Sequence, residues 1–461
     1  MTSYEYIIIG CGLKALAFAD AVLRRGSAQI AIIDRHPYPG GHWCQTYSYA
    51  ALTPPYESLG VESLPISAWL KRRGASPTSS PDRLHRDDVL SYCADVMKTV
   101  LQPTGRLHYF PNCIHMSGGR LHDLETHTVR PIPEARKMVD ASEDTPPIPH
   151  QHVPCFSSEP NVSLASPFSL PAELEHAAQR HDNFCILGAG KAAVESISHL
   201  IGRGISTDQI IWVVPRDPWF ILRGSLLGAT DPISRIYEAM LAVEHASTPQ
   251  DLMRRLEALG CLASLDGEIC PTMFRAITIS DAELGHLRQI NRIIRKGHVH
   301  GISQLGMVFD EGAVPLPPNT LYIDCTAGRV VRAIETPIFQ HAALMLQSTL
   351  IHHTSVSASV IGMIDGLDLS PKEKNRVCEP LSAPDSPNDI LPLIYGTLLN
   401  VHQWLHRSDL RLEMHDFSLD IFIRQAVAQW DKTGAMPGAL TAIRALFPRV
   451  TVNLERLMEQ V

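Results

Sequence analysis

The sequence contains no CxxC pair, no long apolar run and no dense block of lysine and arginine. Without CxxC pairs its ten cysteines are not placed for a zinc ribbon or a redox dithiol, and we expect reduced, mostly buried thiols. No apolar run reaches the ~20 residues that span a bilayer, and no basic stretch precedes the first one, so we expect a cytoplasmic protein. The net charge of -8 argues against nucleic acid or an anionic membrane as a partner. A small-molecule substrate is the remaining expectation.

Composition and length are those of a globular chain with several units. Hydrophobic residues make up 45% and charged residues 19% of the 461 residues, which excludes disorder, collagen and coiled coil. At roughly 150 residues per domain, this length corresponds to about three domain-equivalents. The 34 prolines exceed the usual share and indicate long but defined irregular segments.

A strand, a glycine turn and a helix follow one another near residue 10. Residues 6–9 form an apolar run, the letters GCGLKA begin at Gly10, and residues 16–25 have helical periodicity. Gly10 permits the tight turn, Gly12 leaves room for a diphosphate, and Ala15 lets the helix pack closely on the strand. A second strand, 29–33, ends at Asp34, where a carboxylate can hold a pair of ribose hydroxyls. The pattern predicts a dinucleotide site.

The same pattern recurs at residues 183–214. A strand at 183–187 leads into the letters GAGKAA from Gly188, then a helix to about residue 201 and a strand at 209–214. The second unit continues with Arg216 and Asp217, so a guanidinium stands where a 2′-phosphate would lie, which favours NADPH over NADH. The alternative is that Arg216 is a solvated surface arginine and Asp217 is the ribose ligand.

A similar short segment follows each glycine turn after roughly 130 residues. The letters KMVDAS contain Asp140, and the letters LYIDCT contain Asp324. We expect these to be the last parallel strands of two doubly wound sheets, delivering Asp140 and Asp324 to the carboxyl edge where ligands bind. The alternative is a coincidental strand that ends in a turn-forming aspartate.

The two motifs predict an α/β fold with two Rossmann-like dinucleotide-binding domains, the second inserted in the first, and a helical C-terminal segment. The expected units are an FAD-binding domain at 1–160, an NAD(P)H-binding domain at 161–325, and a return to the first domain with C-terminal helices at 326–461. Residues 131–171 hold nine prolines and no glycine, which fits an extended connector. Helical periodicity at 419–430 and 438–447 predicts helices that complete a core or an oligomer contact.

Several single residues carry two interpretations. Lys191 follows the second turn and either contacts a phosphate or is a solvated lysine, and Arg223 either adds a phosphate contact or pairs with an acid. Residues 43–64, rich in tyrosine and proline, form either the walls of a cavity or an ordinary surface loop. The pairs His352-His353 and His298-x-His300 lack metal partners at helical spacing, so we expect no metal site.

Two glycine motifs in one chain, with Asp34 after the first and Arg216 after the second, resemble the two-dinucleotide-binding-domain flavoproteins. The run Gly40-Gly41-His42-Trp43 is similar to the Gly-Gly-x-Trp element of flavin-dependent monooxygenases, and 321–328 is similar to an altered form of their Ala-Thr-Gly crossover. Together with the GAGK turn, these runs resemble a poorly characterised bacterial group of FAD/NAD(P)-dependent oxidoreductases.

Two departures from these families are visible. The Phe-x-Gly-x-x-x-His fingerprint of typical Baeyer–Villiger and N/S-oxygenating enzymes is absent before the second glycine motif, since no glycine lies between Gly119 and Gly188. The paired cysteines of the related disulfide reductases are also absent, because Cys44 is followed by Tyr47 and Tyr49 rather than by a second cysteine. Dithiol chemistry is therefore not expected.

The resemblance implies FAD in the first site and NADPH in the second, with NADH as a possible substitute. The implied cofactor-binding residues are Gly10, Gly12, Ala15, Asp34, Arg35, Gly40, Gly41, His42, Trp43, Asp140, Gly188, Gly190, Lys191, Ala193, Arg216 and Asp324. His42 is the candidate acid or base, because it is the nearest ionisable group to the expected flavin.

The resemblance further implies a monooxygenase with molecular oxygen as co-substrate. Its substrate would be a small organic molecule of secondary metabolism, modified by N-oxidation or Baeyer–Villiger-type insertion through a C4a-(hydro)peroxyflavin. Two alternatives stay open: a flavin dehydrogenase or reductase that does not oxygenate, and a flavoprotein whose nucleotide is structural.

Overall fold

A computed structural model describes most of the chain. The described residues are 3–52, 56–74, 83–132, 134–142, 153–177, 181–224, 232–326, 336–351, 354–414, 417, 419 and 438–461. The histidine pair at 352–353, the end of the 321–328 element and nearly all of the predicted helix at 419–430 lie outside them.

The helices of the described residues are mostly short and amphipathic. They are α1 Leu13–Arg25, α2 Ile66–Arg72, α3 Arg86–Val96, α4 Leu170–Ala177, α5 Lys191–Gly202, α6 Pro232–Glu244, α7 Pro249–Ala258, α8 Asp281–Arg288, α9 Thr354–Asp365, α10 Pro371–Val377, α11 Ile390–His406, α12 Ser408–Glu413 and α13 Gly438–Met458. None of them, in this described part of the chain, has both the length and the apolar character that crossing a bilayer requires.

The strands fall into two units, each with a small antiparallel sheet inserted in it. The first unit has β1 Tyr4–Ile9, β2 Ile30–Ile33, β3 Ala51–Leu52, β4 Gly60–Val61, β5 Leu64–Pro65, β6 Leu84–His85, β7 Leu107–Phe110, β8 Cys113–Met116, β9 Arg120–Asp123, β10 Val129–Pro131 and β11 Ala135–Asp140. The rest of the chain has β12 Ser157–Ser158, β13 Ser163–Ala165, β14 Asn183–Leu187, β15 Ile210–Val213, β16 Pro218–Leu222, β17 Leu262–Ser264, β18 Met273–Ile279, β19 Arg292–Ile294, β20 Val299–Ser303, β21 Gly306–Phe309, β22 Gly312–Pro315, β23 Thr320–Asp324 and β24 Ala343–Met345.

The first sheet is parallel, in the order β24-β11-β1-β2-β7. Strand β1 is nearly continuously apolar because its middle is covered on both faces, as in other parallel sheets. Helix α1 covers one face and is itself covered by α9, whose Gly362 comes close enough that an added Cβ would lie 3.3 Å from the Ala21 Cβ. A small antiparallel sheet, β10-β9-β8, is inserted between β7 and β11.

The second sheet repeats this plan. It is parallel, in the order β13-β23-β14-β15-β19, with an antiparallel hairpin pair, β20-β21-β22, inserted before β23. The fold class expected from the sequence is therefore confirmed: two Rossmann-like units in one chain, the second inserted in the first.

The strands that carry Asp140 and Asp324 occupy the same place in the two sheets. Ile9 at the end of β1 pairs with Asp140, and Leu187 at the end of β14 pairs with Asp324. The expectation that these are the last parallel strands is met by β23, which comes last in its sheet along the chain, and is wrong for β11, because β24 follows it. Neither strand is at the edge of its sheet, since β24 lies outside β11 and β13 lies outside β23. Both edge strands come from distant parts of the sequence, where only three residues pair, too few for a periodic signal.

The ends of the second strands also correspond. The amide of Asp34 donates to the Phe110 carbonyl (3.1 Å), and the amide of Val214 donates to the Ile294 carbonyl (2.9 Å). In the second unit Val214 is thus the counterpart of Asp34, and Arg216 is the counterpart of His36.

The chain returns to the first sheet at β24 and then builds a helical layer on the second unit. Strands β12 and β13, on either side of the expected boundary at 160, both pair with strands of the second unit. Helix α13 packs against α6 and α11, and its buried face includes Val450 and Leu454. The helix continues beyond the predicted end at 447, through Pro448, because these later apolar residues complete the same core.

A buried ion cluster fastens α9 to the first sheet. The Asp365 carboxylate receives hydrogen bonds from Lys137, from Lys374 (3.4 Å) and from the Tyr6 hydroxyl (2.8 Å). Burial lowers the pKa of Lys374, while the Asp365 carboxylate opposes that shift. Since the Asp365 side chain is only 1% exposed, its charge depends on these partners.

Candidate functional site

The first glycine turn leaves the start of α1 open. Gly10 has φ 96°, a backbone conformation that favours glycine, although a Cβ there would make only ordinary contact with the Ala141 backbone (3.6 Å). Gly12 caps α1 without any side-chain hydrogen bond, and no acidic residue stands in the first turn. Ala15 is fully buried under the sheet. The helix dipole makes this end suitable for an anion.

The Gly-Gly-His-Trp element packs directly on this turn. The amide of Gly40 donates to the Cys11 carbonyl (2.8 Å), and residues Gly41–Cys44 form a short 3₁₀ turn. Gly41 has φ 58°, and a Cβ there would lie 2.8 Å from the Gly12 Cα. Trp43 is 8% exposed, with its ring 5.2 Å from that of His42. The structure thus brings the two predicted glycine elements into contact.

Asp34 is buried beside the turn and is already hydrogen-bonded. Its carboxylate accepts from the Cys11 amide, from the His36 amide (2.7 Å) and from the His36 Nδ1 (2.7 Å). It therefore holds the glycine turn in shape. Arg35 is exposed. His36 was not predicted from the sequence as a partner of Asp34, although a residue two positions after an aspartate is close enough to hydrogen-bond to its carboxylate.

His42 is held neutral at physiological pH. Burial, followed by the nearby Lys14 charge, lowers the pKa of His42 to about 4. Lys14 lies in the first turn of α1, and its ammonium donates to the Leu346 carbonyl (3.1 Å). The sequence reasoning also missed Lys14, which brings a positive charge to the same edge as the glycine turn.

The second glycine turn is more open than the first. Gly188 has φ 103°, and a Cβ there would lie 3.1 Å from the Cys325 carbonyl oxygen. Gly190 caps α5 without a side-chain hydrogen bond, and a Cβ there would meet nothing within 4 Å. Ala193 is fully buried. The space in front of Gly190 lies at the N-terminus of a helix with no acidic residue in its first turn.

Asp140 and Asp324 close the two turns in the same way. The Asp140 carboxylate accepts from the Ser142 amide (2.8 Å) and hydroxyl (2.7 Å), and the Asp324 carboxylate accepts from the Thr326 amide (2.9 Å) and hydroxyl (2.5 Å). Both aspartates stand at the carboxyl edge, and each forms an Asx-type turn after its strand.

Helix α5 is fastened to the first unit through a buried carboxylate. Glu195, 3% exposed, accepts hydrogen bonds from the Tyr47 hydroxyl and the Ala51 amide (3.2 Å), and pairs with Lys191 (3.1 Å). The Tyr49 hydroxyl bonds to the Ser196 hydroxyl (2.8 Å). Lys191 thus forms an ion pair with Glu195, and the Lys191 side chain is 46% exposed.

The tyrosines of the 43–64 segment are interior residues. Tyr47 and Tyr49 are each 6% exposed and Tyr56 is 3% exposed, so at these positions the segment is not an ordinary surface loop. Pro54 and Pro55 lie outside the described residues.

The charged residues directly after β15 are engaged in ion pairs. Arg216 donates to the Asp385 carboxylate (2.8 Å), and Asp217 accepts two bonds from the Arg295 Nε (3.1 and 3.0 Å). Burial alone would raise the pKa of Asp385, but hydrogen bonds from Arg216 and Arg275 lower it to about 2. Asp217 is therefore occupied by Arg295.

Arg223 pairs with the carboxylate of Glu283, which agrees with the second of its two interpretations. In the described ranges no group of three or more His, Cys, Asp or Glu residues is arranged to hold a metal ion.

Comparison with known proteins gives relatives over most of the chain. An uncharacterized protein of Mycobacterium tuberculosis strain H37Rv, Rv2000, is 30% identical over 417 residues, covering 88% of this chain and 75% of that protein. Mb2023 of Mycobacterium bovis matches with the same figures. The chain belongs to the family of these mycobacterial proteins. No family model matches the chain.

Among solved structures, this member of the mycobacterial family is similar to several flavoproteins. A mutant of a flavin monooxygenase from Stenotrophomonas maltophilia is 14% identical, covering 81% of this chain and 99% of that one, with a TM-score of 0.47. The Kutzneria sp. 744 ornithine N-hydroxylase is 11% identical, covering 78% and 96%, with a TM-score of 0.48. An oxidized steroid monooxygenase bound to NADP is 12% identical, covering 79% and 84%, also at 0.48.

Proposed function

We propose that the chain is an FAD-containing oxidoreductase that consumes NADPH. The observation that carries this proposal is the repeat: the central strand of each parallel sheet, β1 or β14, is followed by a glycine at positive φ and then by a helix whose N-cap glycine makes no side-chain hydrogen bond. An enzyme with one nucleotide cofactor needs one such turn. Two such turns in one chain fit two dinucleotides, FAD that stays bound and NADPH that is exchanged in each turnover.

The difference between the units supports the order of the cofactors. The first unit has a buried carboxylate, Asp34, at the end of its second strand, as a 2′-hydroxyl of the adenosine ribose requires. The second unit has Val214 at that place and Arg216 two residues later, so no carboxylate at this position repels a 2′-phosphate. We therefore assign FAD to the turn at Gly12 and NADPH to the turn at Gly190.

The residues of each site would bind and position the cofactors, and the cofactors would supply the redox chemistry. When bound, FAD supplies a ring that accepts a hydride and NADPH supplies the hydride. The helix starts at Gly12 and Gly190 hold the diphosphates through backbone N–H groups. The buried Tyr47 and Tyr49 exclude water between the units. Because the pKa of His42 is lowered to about 4, its imidazole is uncharged at neutral pH. One ring nitrogen can then donate a hydrogen bond and the other can accept one.

We further propose that the enzyme is a monooxygenase acting on a small organic molecule by N-oxidation or Baeyer–Villiger-type insertion. The dry, aromatic segment at Tyr47, Tyr49 and Tyr56 supports this, because oxygen transfer needs a water-poor site.

An NADPH titration without oxygen tests the proposal. The purified protein should be yellow, release its flavin on boiling, and lose its colour when NADPH is added anaerobically. Colourless protein that takes up no added FAD would overturn the assignment. A yellow protein that NADPH does not bleach would leave the nucleotide in a structural role and contradict the enzyme proposal.

A matched glycine pair makes the test specific for the second turn. A Cβ added at Gly190 or at Gly267 would meet no atom within 4 Å, and neither residue has a positive φ, so a side chain at either position meets no clash at Cβ and no backbone strain. We expect G190V to keep the flavin but to resist reduction by NADPH, because the valine enters the diphosphate path. G267V should behave like the unmodified protein. Readmitting oxygen with candidate substrates then separates an oxygenated product from stoichiometric hydrogen peroxide alone.

A further inference from the structure

Strand β18 contains a bulge beside the proposed NADPH site. Strands β16 and β18 run parallel, with Trp219 opposite Phe274, but the next residue, Phe220, lies opposite Ile277. Arg275 and Ala276 are therefore extra residues on β18. Bulges of this kind turn a side chain away from the regular direction of the strand.

The bulge is held in a strained conformation. Ala276 has φ 53°, in the left-handed region that alanine seldom adopts. Such a residue persists only where its surroundings fix it, and these positions concentrate at ligand-binding sites. The strain therefore indicates that the bulge positions a functional residue, and Arg275 is the charged residue in it.

The bulge places Arg275 next to Arg216. The Arg275 Nε and the Arg216 Nη2 both donate to the same carboxylate oxygen of Asp385, each at 2.8 Å. The two side chains are 33% and 32% exposed, so their other N–H groups are open to a ligand. A guanidinium has five N–H donors, and the bond to Asp385 uses one of them.

Arg216 and Arg275 face the same carboxylate. Asp385 contacts both guanidiniums, while the neighbouring Arg295 contacts the carboxylates of Asp217 (3.0 Å) and Asp266 (3.9 Å). The start of β18 is also attached to the end of the Arg216 turn, because the Asp217 carbonyl accepts from the Thr272 and Met273 amides (both 3.0 Å). Arg275 and Arg216 are thus fixed relative to each other through both backbone and side chains.

We propose that Arg275 is the second guanidinium of the 2′-phosphate site, and that Asp385 is a positioning residue that holds Arg275 and Arg216 together. This inference rests on the proposed use of NADPH. Two guanidiniums offer a phosphate several charge-assisted bonds, whereas a nucleotide without the 2′-phosphate gains none of them. Arg275 therefore determines preference for NADPH over NADH and contributes little to binding the rest of the nucleotide.

Binding measurements on four proteins test this inference. Isothermal titration with NADP⁺, NAD⁺, 2′-AMP and 5′-AMP is compared for the unmodified protein, R275A, R275K and R235A. Arg235 is the control, since it is similarly exposed (37%) and pairs with Glu238 on its own helix. We expect R275A to weaken NADP⁺ and 2′-AMP about tenfold or more, equal to ~1.4 kcal/mol, with NAD⁺ and 5′-AMP unchanged. R275K should lie in between, because lysine keeps the charge but not the planar fork.

The outcomes separate this inference from the proposed function. If the unmodified protein prefers NADP⁺ and R275A keeps that preference, the assignment of Arg275 is wrong and the proposed function stands. Equal weakening of NADP⁺ and NAD⁺ would likewise show that Arg275 only tethers the Asp385 segment. If the unmodified protein binds neither nucleotide, both proposals are overturned. A thermal melt of each variant reports folding, and R275K, which retains the ion pair, supplies the answer if R275A is unstable.

Discussion

The contact between Tyr47 and Glu195 offers a matched pair of substitutions, Y47F and Y49F. Both remove one hydroxyl from neighbouring buried tyrosines and leave the rings, whose centroids lie 4.6 Å apart, in place. The Tyr47 hydroxyl donates to the buried carboxylate of Glu195, whereas the Tyr49 hydroxyl bonds to the neutral hydroxyl of Ser196 (2.8 Å). Burial raises the pKa of both tyrosines, so both hydroxyls stay protonated.

The expected magnitudes follow from the nature of the acceptor. A hydrogen bond to a charged group contributes ~1.5–3 kcal/mol and one between neutral groups ~0.5–1.5 kcal/mol. Y47F leaves Glu195 with the Ala51 amide (3.2 Å), Lys191 (3.1 Å) and Arg83 (3.6 Å) as partners, and its buried carboxylate has little access to bulk water. We therefore expect Y47F to destabilise the contact between the units by ~1 kcal/mol more than Y49F does.

Hydrogen exchange measures this difference locally. A chain with several units does not necessarily unfold in one step, so a single midpoint is a poor measure. Exchange of amides in 47–52 and in α5 reports the opening free energy of the contact itself. Y49F equal to or more damaging than Y47F would refute the view that a buried charge holds the two units together.

Three further predictions concern other parts of the chain. G41A should lower the unfolding free energy by ~2–4 kcal/mol, because a left-handed alanine and a Cβ 2.8 Å from the Gly12 Cα both oppose folding. G74A is the control, since Gly74 has φ 84° but a Cβ there would meet no atom within 4 Å. It should lose only the conformational contribution, ~1–2 kcal/mol. Equal losses in a denaturation assay would contradict the close packing of the two turns. D365N should cost ~3–5 kcal/mol, since it leaves buried lysines without their carboxylate; a loss under ~1 kcal/mol would show that water reaches the cluster. Because the pKa of His42 is about 4 in the folded chain and 6.5 ordinarily, the unfolded chain takes up this proton first, so stability should fall as pH drops from 6.5 towards 4, by at most ~1.4 kcal/mol per pH unit. H42N should lessen that slope, and an unchanged slope would remove His42 as its source.

Local patterns predicted the glycine turns well. The strand 183–187 is observed as predicted, and the helix after Gly12 begins at Leu13 and ends at Arg25, the predicted last residue. An apolar run followed by glycine and a periodic helix is a signal contained in adjacent residues, which is why it could be read. The matching Asp140 and Asp324 were found for the same reason.

The partners of the charged residues could not be predicted. Arg216 meets Asp385 across 169 positions of sequence, and Tyr47 meets Glu195 across 148. Such pairs depend on how units dock, and no spacing rule connects them. The bulge at Arg275 was also invisible, because it results from the pairing register of two strands that are separated by two helices.

The insertion of one unit in the other has a consequence for biosynthesis. All five strands of the second sheet lie between Ser163 and Asp324, so this sheet can close as soon as that stretch has left the ribosome. The first sheet waits for β24 and α1 waits for α9, both made later, although β1 and α1 are translated first. The unit that is translated first is therefore completed last. Until α9 has been made, α1 keeps an apolar face uncovered, and a chaperone can bind to that face during translation.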